Sequence, residues 1–219
     1  MPQGGVRARC GKEVFLELCI RSVKQVGTDC VEITSLDGSA FFVRLSYLRA
    51  VSPAAVCDGA AFADEQADDI IRAGQAFVVE KKCESLLARC EQCRAGLERK
   101  MRQKGFEKEP VAYALDYLEQ RHFLDDGRFA AAWLRSHAVS KCQGRARLAG
   151  ELAARGISRD IAAAALDAFF AEYDEAALCR KAVAKAARAG RSGDRLVKYL
   201  LDSGFSYRLI RAQLEQGEP

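Results

Sequence analysis

Histidine is scarce in this sequence, and long apolar runs are missing from it. Only 2 histidines are present, and neither lies in the sequence context of a catalytic nucleophile, which argues against Ser–His or Cys–His catalysis. No uncharged run is long enough to span a membrane, and the first residues carry charges and glycines where a signal peptide needs an apolar stretch. The missing apolar runs predict a protein without a membrane segment, and the scattered cysteines favour the reducing cytoplasm.

Recognisable metal and cofactor patterns are also missing. The 9 cysteines are odd in number, and several lie at apolar positions of predicted strands or helices, which suits small hydrophobic side chains in a reducing compartment. Cys90 and Cys93 have the spacing of zinc ligands, but no second pair follows them. Residues 5–13 resemble a phosphate-binding loop only faintly, because Glu13 replaces the Ser or Thr that binds Mg²⁺. We expect no catalytic residue, no metal and no cofactor.

Basic residues are in excess, but they are unevenly distributed. Residues 1–75 contain 8 Lys/Arg and 10 Asp/Glu, whereas residues 76–219 contain 26 Lys/Arg and 20 Asp/Glu. A basic helical region favours an acidic partner or one that contains nucleic acid. The excess is modest, so charge alone does not identify that partner.

The first part of the chain is predicted to form strands. Residues 14–20, 30–36 and 40–45 roughly alternate between apolar and polar side chains and are rich in β-branched or aromatic residues. Asp37 and Gly38 stand between the last two segments, and Asp-Gly supplies the positive φ angles of a tight hairpin turn. Three short strands bury little surface, so this module must pack on another element or dimerise.

The predicted strands define a small β-rich N-terminal module over residues 1–58. Pro53 and the small residues up to Gly59 are typical of a linker. A linker helix is predicted over residues 59–76, because acidic residues cluster ahead of an apolar pair there, as a helix N-terminus prefers.

Recurring glycines indicate an internal repeat in the rest of the chain. Gly105, Gly156 and Gly204 are separated by 51 and 48 residues, and each is followed by an apolar residue. Apolar residues also recur eight and four positions before each glycine and ten positions after it: Leu97, Leu148, Leu196; Met101, Leu152, Leu200; Leu115, Leu166, Leu214. This pattern predicts a helix that ends at each glycine, with one helix before it and another after it.

The fold class is therefore mainly α, with three tandem three-helix repeats after the β-rich module. The repeats are expected over residues 77–124, 125–173 and 174–219, with first helices near 77–90, 127–141 and 175–189. Stacked units of this size bury each other's apolar faces and form an elongated, curved body. The alternative is one compact helical domain whose internal similarity is accidental.

A stretch in the second repeat resembles a known signature. It reads Phe123-Leu124-Asp125-Asp126-Gly127-Arg128-Phe129-Ala130, and Gly144, Leu148, Glu151-Leu152 and Arg155-Gly156-Ile157 follow it. The first repeat adds Lys100-Met101 and Lys104-Gly105-Phe106. These residues resemble the RecX family over residues 77–216. Gly96 and Cys93 depart from the family pattern, and the resemblance says nothing about the N-terminal module.

The resemblance implies a protein that lies in the groove of the RecA filament on single-stranded DNA. There the family inhibits strand exchange and ATP hydrolysis or limits filament growth, and no chemistry is attributed to it. We accordingly expect a non-enzymatic, monomeric regulator of RecA in DNA repair and the SOS response, with weak direct DNA binding as a further possibility.

The family motif supplies the structural residues that we expect to shape the second repeat. Asp125 and Asp126 stand immediately ahead of a helix, so both are interpreted as caps rather than as a metal or acid–base pair. Phe129 and Leu134 are predicted to be core residues. The full structural set is Leu124, Asp125, Asp126, Phe129, Gly144, Leu148, Leu152 and Gly156.

The candidate partner-binding residues form the densest basic stretch, with no acidic residue between Asp126 and Glu151. Arginine binds carboxylate or phosphate through a planar fork, so these side chains suit an acidic protein surface or DNA. Trp133 joins them as an expected exposed anchor. The set is Arg128, Trp133, Arg135, Lys141, Arg145, Arg147 and Arg155. The alternatives are a solvated basic face, a helical protein that acts on DNA directly, and, more distantly, a nuclease.

Overall fold

The computed structural model describes residues 17–215, except for the side chain of Val139. The start of the predicted first strand and the segment 5–13 lie outside the described residues. Within them the chain forms two compact units. Unit 1 comprises residues up to 89 together with 98–123, and unit 2 comprises 90–97 and the residues from 124 onward.

A four-stranded antiparallel sheet lies in unit 1, with strand order β3-β2-β1-β4. Its strands are β1 (Glu17–Gly27), β2 (Cys30–Ser35), β3 (Ala40–Arg44) and β4 (Ala61–Ala63). The predicted hairpin turn is confirmed, because Gly38 adopts a φ of 87° and its N–H donates to the Ser35 carbonyl at 3.0 Å.

The described residues also form nine α-helices. They are α1 (Asp64–Leu87), α2 (Arg94–Gln103), α3 (Lys108–Gln120), α4 (Asp126–Lys141), α5 (Arg145–Ala153), α6 (Arg159–Glu172), α7 (Glu175–Arg188), α8 (Gly193–Asp202) and α9 (Tyr207–Glu215). The mainly helical fold with a small N-terminal sheet is thus confirmed. Among residues 17–215, no helix is both long and apolar enough to cross a membrane.

The structure differs from the predicted linker in two respects. Val51 and Val56 are buried in the core of unit 1, and β4 follows them as a fourth strand. The predicted linker helix and the predicted first helix of the first repeat form one continuous helix, α1, because buried positions recur every three or four residues from Ala67 to Cys83. The division into three repeats and their elongated arrangement remain predictions.

The sheet of unit 1 packs on α1, and buried polar side chains join the two. Glu80 of α1 is fully buried and accepts hydrogen bonds from Arg44 Nε at 2.8 Å and from the Tyr47 hydroxyl at 2.7 Å. The Asp69 carboxylate accepts the backbone N–H groups of Arg49, Ala50 and Val51. The β-rich module is therefore an integral part of unit 1.

Candidate partner-binding surface

The acidic pair at the start of α4 caps two different helices. Asp125 Oδ1 accepts the N–H groups of Gly127 and Arg128, at 2.7 and 2.9 Å, so its predicted role as the cap of α4 is confirmed. Asp126 instead accepts the backbone N–H of Arg94, the first residue of α2, at 2.8 Å. Both carboxylates are bound to backbone donors, and no group of three potential metal ligands occurs among residues 17–215.

The start of α7 repeats this arrangement. Asp174 caps α7 through the N–H groups of Ala176 and Ala177, at 2.9 and 3.1 Å. Glu175 then accepts the backbone N–H of Arg145, the first residue of α5, at 2.9 Å. In both places the second acidic residue joins the first helix of one predicted repeat to the middle helix of the repeat before it.

Two of the repeat glycines lie at the same junctions. A Cβ built on Gly156 would lie 2.4 Å from Ala95 Cβ, and one built on Gly204 would lie 2.3 Å from Arg147 N. Both distances are far below a normal carbon contact, so only glycine fits these positions without a shift. The Gly144 N–H also donates to the Ser203 carbonyl at 2.9 Å. The spacing found in the sequence thus coincides with a carboxylate cap and a close glycine contact that recur at two junctions.

Several further motif residues are buried. Leu134, Leu148 and Leu152 are fully buried in the core of unit 2, and Leu124 is 2% exposed. Phe129 is partly buried and packs against this core.

Trp133 is not exposed, contrary to expectation. Only 7% of it is accessible, because its indole packs into the core of unit 2. The Arg155 guanidinium covers the ring at 4.3 Å from its centre, and the His137 imidazole stacks on it at 4.8 Å. The prediction of an exposed tryptophan anchor is therefore wrong, and Arg155 is engaged in packing as well.

Most of the predicted basic residues hold carboxylate partners. Arg128 pairs with Glu91 at 2.9 Å, Arg147 with Glu151 at 3.1 Å, and Arg145 with Asp167. Burial raises the pKa of Glu151, but hydrogen bonds from Gln143 and Arg147 and the charges of Lys141 and Arg147 outweigh it, so this pKa lies below its ordinary value.

Two predicted residues differ from the others. Arg135 and Lys141 are exposed on α4, and neither forms an ion pair with another residue of the part that the structure describes. Lys141 also lines a cleft of about 280 Å³, together with Gln143, Arg147, Tyr199, Asp202 and Ser203. These two side chains are available to a partner without the loss of an internal pair.

Known proteins resemble this chain in sequence and in fold. The family description "RecX, second three-helix domain" matches residues 125–166. A regulatory protein RecX of Treponema pallidum is 38% identical over 148 residues, which cover 68% of this chain and 90% of the relative. The chain belongs to the RecX family. A RecX of Chlorobium limicola is 34% identical over 118 residues, covering 51% of this chain and 72% of the relative.

Solved RecX structures share the fold. One crystal structure of a regulatory protein RecX aligns with a TM-score of 0.67 and 20% identity over 90% of this chain and 99% of that chain. RecX from Lactobacillus salivarius aligns with a TM-score of 0.56 and 19% identity over 65% and 96%. Coverage of 90% requires part of the sheet as well as the helices. The sheet therefore belongs to a fold that at least one RecX structure shares.

Sequence reasoning missed a basic stripe on α7 of this RecX family member. Lys181, Lys185 and Arg188 are spaced i, i+4 and i+7, so they share one helix face, and all three are exposed. No ion pair involves them within residues 17–215. The available signal was the lack of any acidic residue between Glu175 and Asp194.

Proposed function

We propose that this RecX family member binds the filament that RecA forms on single-stranded DNA and inhibits the recombinase, ATPase and coprotease activities of RecA. It acts by binding alone, as a cytoplasmic monomer, in DNA repair and the SOS response. Membership of a family of regulatory proteins supports this role. The single observation that carries the surface is the exposed, unpaired pair Arg135 and Lys141 on α4.

The proposed contact residues differ in the internal interactions that each of them would lose on binding a partner. Arg135 and Lys141 lose no internal ion pair. Arg145 and Arg147 each form an ion pair at the surface, with Asp167 and Glu151. Such a pair is worth only about 0–1 kcal/mol, so a carboxylate or phosphate of the partner replaces it at little cost. Arg128 likewise forms an ion pair at the surface, with Glu91. Trp133 and Arg155 are left out, because leaving their stack would open the core of unit 2.

In the proposed mechanism the repeats contact successive RecA protomers and hinder the subunit movements that accompany ATP hydrolysis. Closely packed contacts between the repeats suit this role. Repeats that keep a fixed spacing resist movement of the RecA protomers that they bridge. The carboxylate caps and glycine contacts between α2, α5 and α8 provide such junctions.

The test is reversal of the two unpaired charges. We expect Arg135→Glu/Lys141→Glu to inhibit RecA ATPase and strand exchange at least tenfold less strongly than wild type, because about 1.4 kcal/mol of lost binding suffices for that change. Circular dichroism should show unchanged helicity, since both side chains are exposed.

The matched control is Lys24→Glu/Lys82→Glu. It changes the net charge equally at exposed lysines of unit 1. We expect this control to inhibit like wild type. Full inhibition by the α4 variant, or an equal loss in the control, would contradict the proposed surface.

A direct DNA-binding role is the second candidate, favoured by the unpaired cations of α7. Binding through phosphates alone should weaken by about 0.9 log units per contact for each tenfold rise in salt. Filament binding through mixed polar and apolar contacts should persist at salt that removes naked-DNA binding. Fluorescence anisotropy with free oligonucleotide and with RecA filaments, over a salt series, separates the two roles. Metal-dependent cleavage in the same samples, lost in Asp125→Asn, would indicate a nuclease instead.

A further inference from the structure

The polar cleft of unit 2 contains more polar groups than the proposed RecA contacts explain. Two segments line it, the turn from α4 into α5 and the C-terminal end of α8. Its volume of about 280 Å³ is close to the lower limit of ligand pockets, about 300 Å³, so it suits one small group rather than an extended chain. The lining residues are Lys141, Gln143, Arg147, Tyr199, Asp202 and Ser203.

Main-chain hydrogen bonds hold the two walls of this cleft together. The Gly144 N–H donates to the Ser203 carbonyl at 2.9 Å. The Ala146 N–H donates to the Gly204 carbonyl at 3.3 Å. Gly204 also approaches Arg147 so closely that a Cβ has no room there. The cleft is therefore formed before a ligand arrives, which lowers the cost of binding.

One buried oxygen of a lining residue lacks a hydrogen bond. Gln143 Nε2 donates to Glu151 Oε1 at 2.8 Å, and this contact sets the orientation of the amide, because a carboxylate accepts only from the amide nitrogen. The amide oxygen, Oε1, is buried and accepts no hydrogen bond from any residue among 17–215. A buried acceptor without a donor is costly, so a ligand that brings an N–H group to this oxygen satisfies it.

The cleft presents charges of both signs. Lys141 is exposed and unpaired in the part of the chain that the structure describes, and Arg147 bonds its carboxylate partner through Nε alone. The Arg191 guanidinium adds a third cation, 4.8 Å from the centre of the Tyr199 ring. Asp202 is exposed at the C-terminal end of α8, where a carboxylate opposes the helix dipole, and it has no partner among the same described residues. A fitting ligand therefore carries both an anionic group and hydrogen-bond donors.

A nucleotide meets these requirements, whereas an acidic peptide side chain does not. A phosphate suits Lys141 and Arg147, and the amino group of cytosine, adenine or guanine supplies donors for Gln143 Oε1 and the Asp202 carboxylate. Single strands leave these base edges accessible. An aspartate or glutamate side chain brings no donor, and the Asp202 charge repels it.

We propose that this cleft binds one nucleotide unit, with its phosphate on Lys141 and Arg147 and an amino-bearing base on Gln143 and Asp202. Uracil and thymine carry a carbonyl oxygen where cytosine carries its amino group, so they bind less well. The inference rests on the direct DNA-binding role, the second candidate above, and adds selection among bases to it. A single strand and a free nucleotide offer the same groups, so both are tested.

The test measures base selection with the full-length protein and without RecA. Fluorescence anisotropy compares labelled oligodeoxycytidine and oligodeoxyuridine of about ten nucleotides at one salt concentration. Both carry the same phosphates, so phosphate binding alone gives equal affinities. We expect oligodeoxycytidine to bind about fivefold more tightly, as one discriminating hydrogen-bonded contact allows.

NMR locates the binding and distinguishes the two sources of the nucleotide. Titration of ¹⁵N-labelled protein with deoxycytidine monophosphate, up to about 5 mM, should shift the amide signals of Gln143 and Ser203. A hexaglutamate peptide should leave both signals in place. Binding of the oligomer about tenfold more tightly than the monophosphate assigns the site to a strand, and equal binding assigns it to free nucleotides.

Asp202→Asn separates base selection from charge. It removes a negative charge at an exposed position, so both oligomers should bind at least as tightly as to wild type, but the preference for cytosine should disappear. Asp194→Asn is the matched control, because it removes the same charge in the first turn of α8, outside the cleft, and should keep the preference. Lys141→Met should weaken both oligomers equally.

Three results would overturn the inference. They are equal affinity of the wild type for the two oligomers, a cytosine preference that survives in Asp202→Asn, and peptide-induced shifts at Gln143 and Ser203. Equal affinity leaves the direct DNA-binding role standing, whereas a lack of binding to either oligomer contradicts both that role and the inference.

Discussion

The interior of unit 1 and the interior of unit 2 are stabilised by different kinds of interaction. In unit 1, buried side-chain charges join the sheet to α1, with Glu80 fully buried between Arg44 and Tyr47. In unit 2, the junctions between helices use carboxylates on backbone N–H groups and close approaches at glycine. Buried ion pairs tolerate the loss of one partner badly, whereas a single cap contributes only modestly. The two units should therefore respond very differently to substitution.

The lone tryptophan makes that difference measurable. Trp133 lies in the core of unit 2, so its fluorescence reports on that unit, whereas circular dichroism reports on both. Each of the following changes is expected to shift one transition more than the other.

The largest effect is expected from breaking the buried pair of unit 1. Arg44→Met leaves the buried Glu80 carboxylate with only the exposed Lys81 as an ionic partner, and it should lower the free energy of unfolding of unit 1 by about 3–5 kcal/mol. Arg72→Met, which removes partly exposed ion pairs with Asp68 and Glu109, should cost only about 0–1 kcal/mol for each pair. Urea unfolding followed by circular dichroism measures both. Equal effects of the two substitutions would show that burial of Glu80 does not matter.

The same pair predicts a dependence on pH. Burial raises the pKa of Glu80, but hydrogen bonds from Arg44 and Tyr47 and the Arg44 charge outweigh it, so the pKa lies below its ordinary value of 4.5. The stabilisation is present above pH 4.5 and is lost as the pH falls through the lower folded-state value. In Arg44→Met the hydrogen bonds and the charge of Arg44 are lost, while the Tyr47 hydrogen bond and the Lys81 charge remain, so Glu80 is protonated at a higher pH than in wild type and protonation relieves the buried charge. The difference between wild type and variant should shrink between pH 7 and pH 3, and a constant difference would contradict this account.

A smaller effect is expected in unit 2 from filling a glycine junction. Gly204→Ala places a Cβ against Arg147 N and retains a φ of 89°, which together should cost about 2–4 kcal/mol and shift the Trp133 transition. Gly190→Ala is the matched control in the same unit, because its φ is 73° but a Cβ there meets nothing within 4 Å. The control should cost about 1 kcal/mol. If both cost the same, the close approach contributes nothing.

The smallest effect is expected from the junction caps. Asp126→Ala and Glu175→Ala each remove one acceptor from a helix N-terminus and should destabilise unit 2 by about 1 kcal/mol. Glu172→Ala, at the exposed C-terminal end of α6, should be neutral or slightly stabilising, because a carboxylate there opposes the helix dipole. Thermal unfolding monitored by Trp133 fluorescence distinguishes these outcomes. A loss at Glu172 as large as at Asp126 would exclude a specific capping role.

What the sequence predicted well was local or periodic. The hairpin at Gly38, the cap at Asp125 and the glycines at the ends of the middle helices each depend on a few neighbouring residues or on a regular interval. Local rules were enough because backbone conformation at these positions is set by the residue itself.

What it missed depended on distant contacts. Asp126 caps a helix 32 positions earlier in the chain, and Arg155 covers Trp133 from the turn that follows α5. The strand β4 has only three residues and pairs with β1 across a long connection, so it has no pattern of its own. The basic stripe of α7 has a signal in the sequence, the lack of acidic residues between Glu175 and Asp194, but it lies outside the family motif.

The main-chain contact between Gly144 and Ser203 has a consequence for how this protein can diversify. The spacing of α5 and α8 there depends on two backbone hydrogen bonds, the second from the Ala146 N–H to the Gly204 carbonyl, and on glycines, with hardly any contribution from outward-facing side chains. The solvent-facing positions of both helices are thus free to drift or to be redesigned while the joint keeps its geometry. A recognition surface from another relative could be transplanted onto this scaffold by exchanging those positions alone.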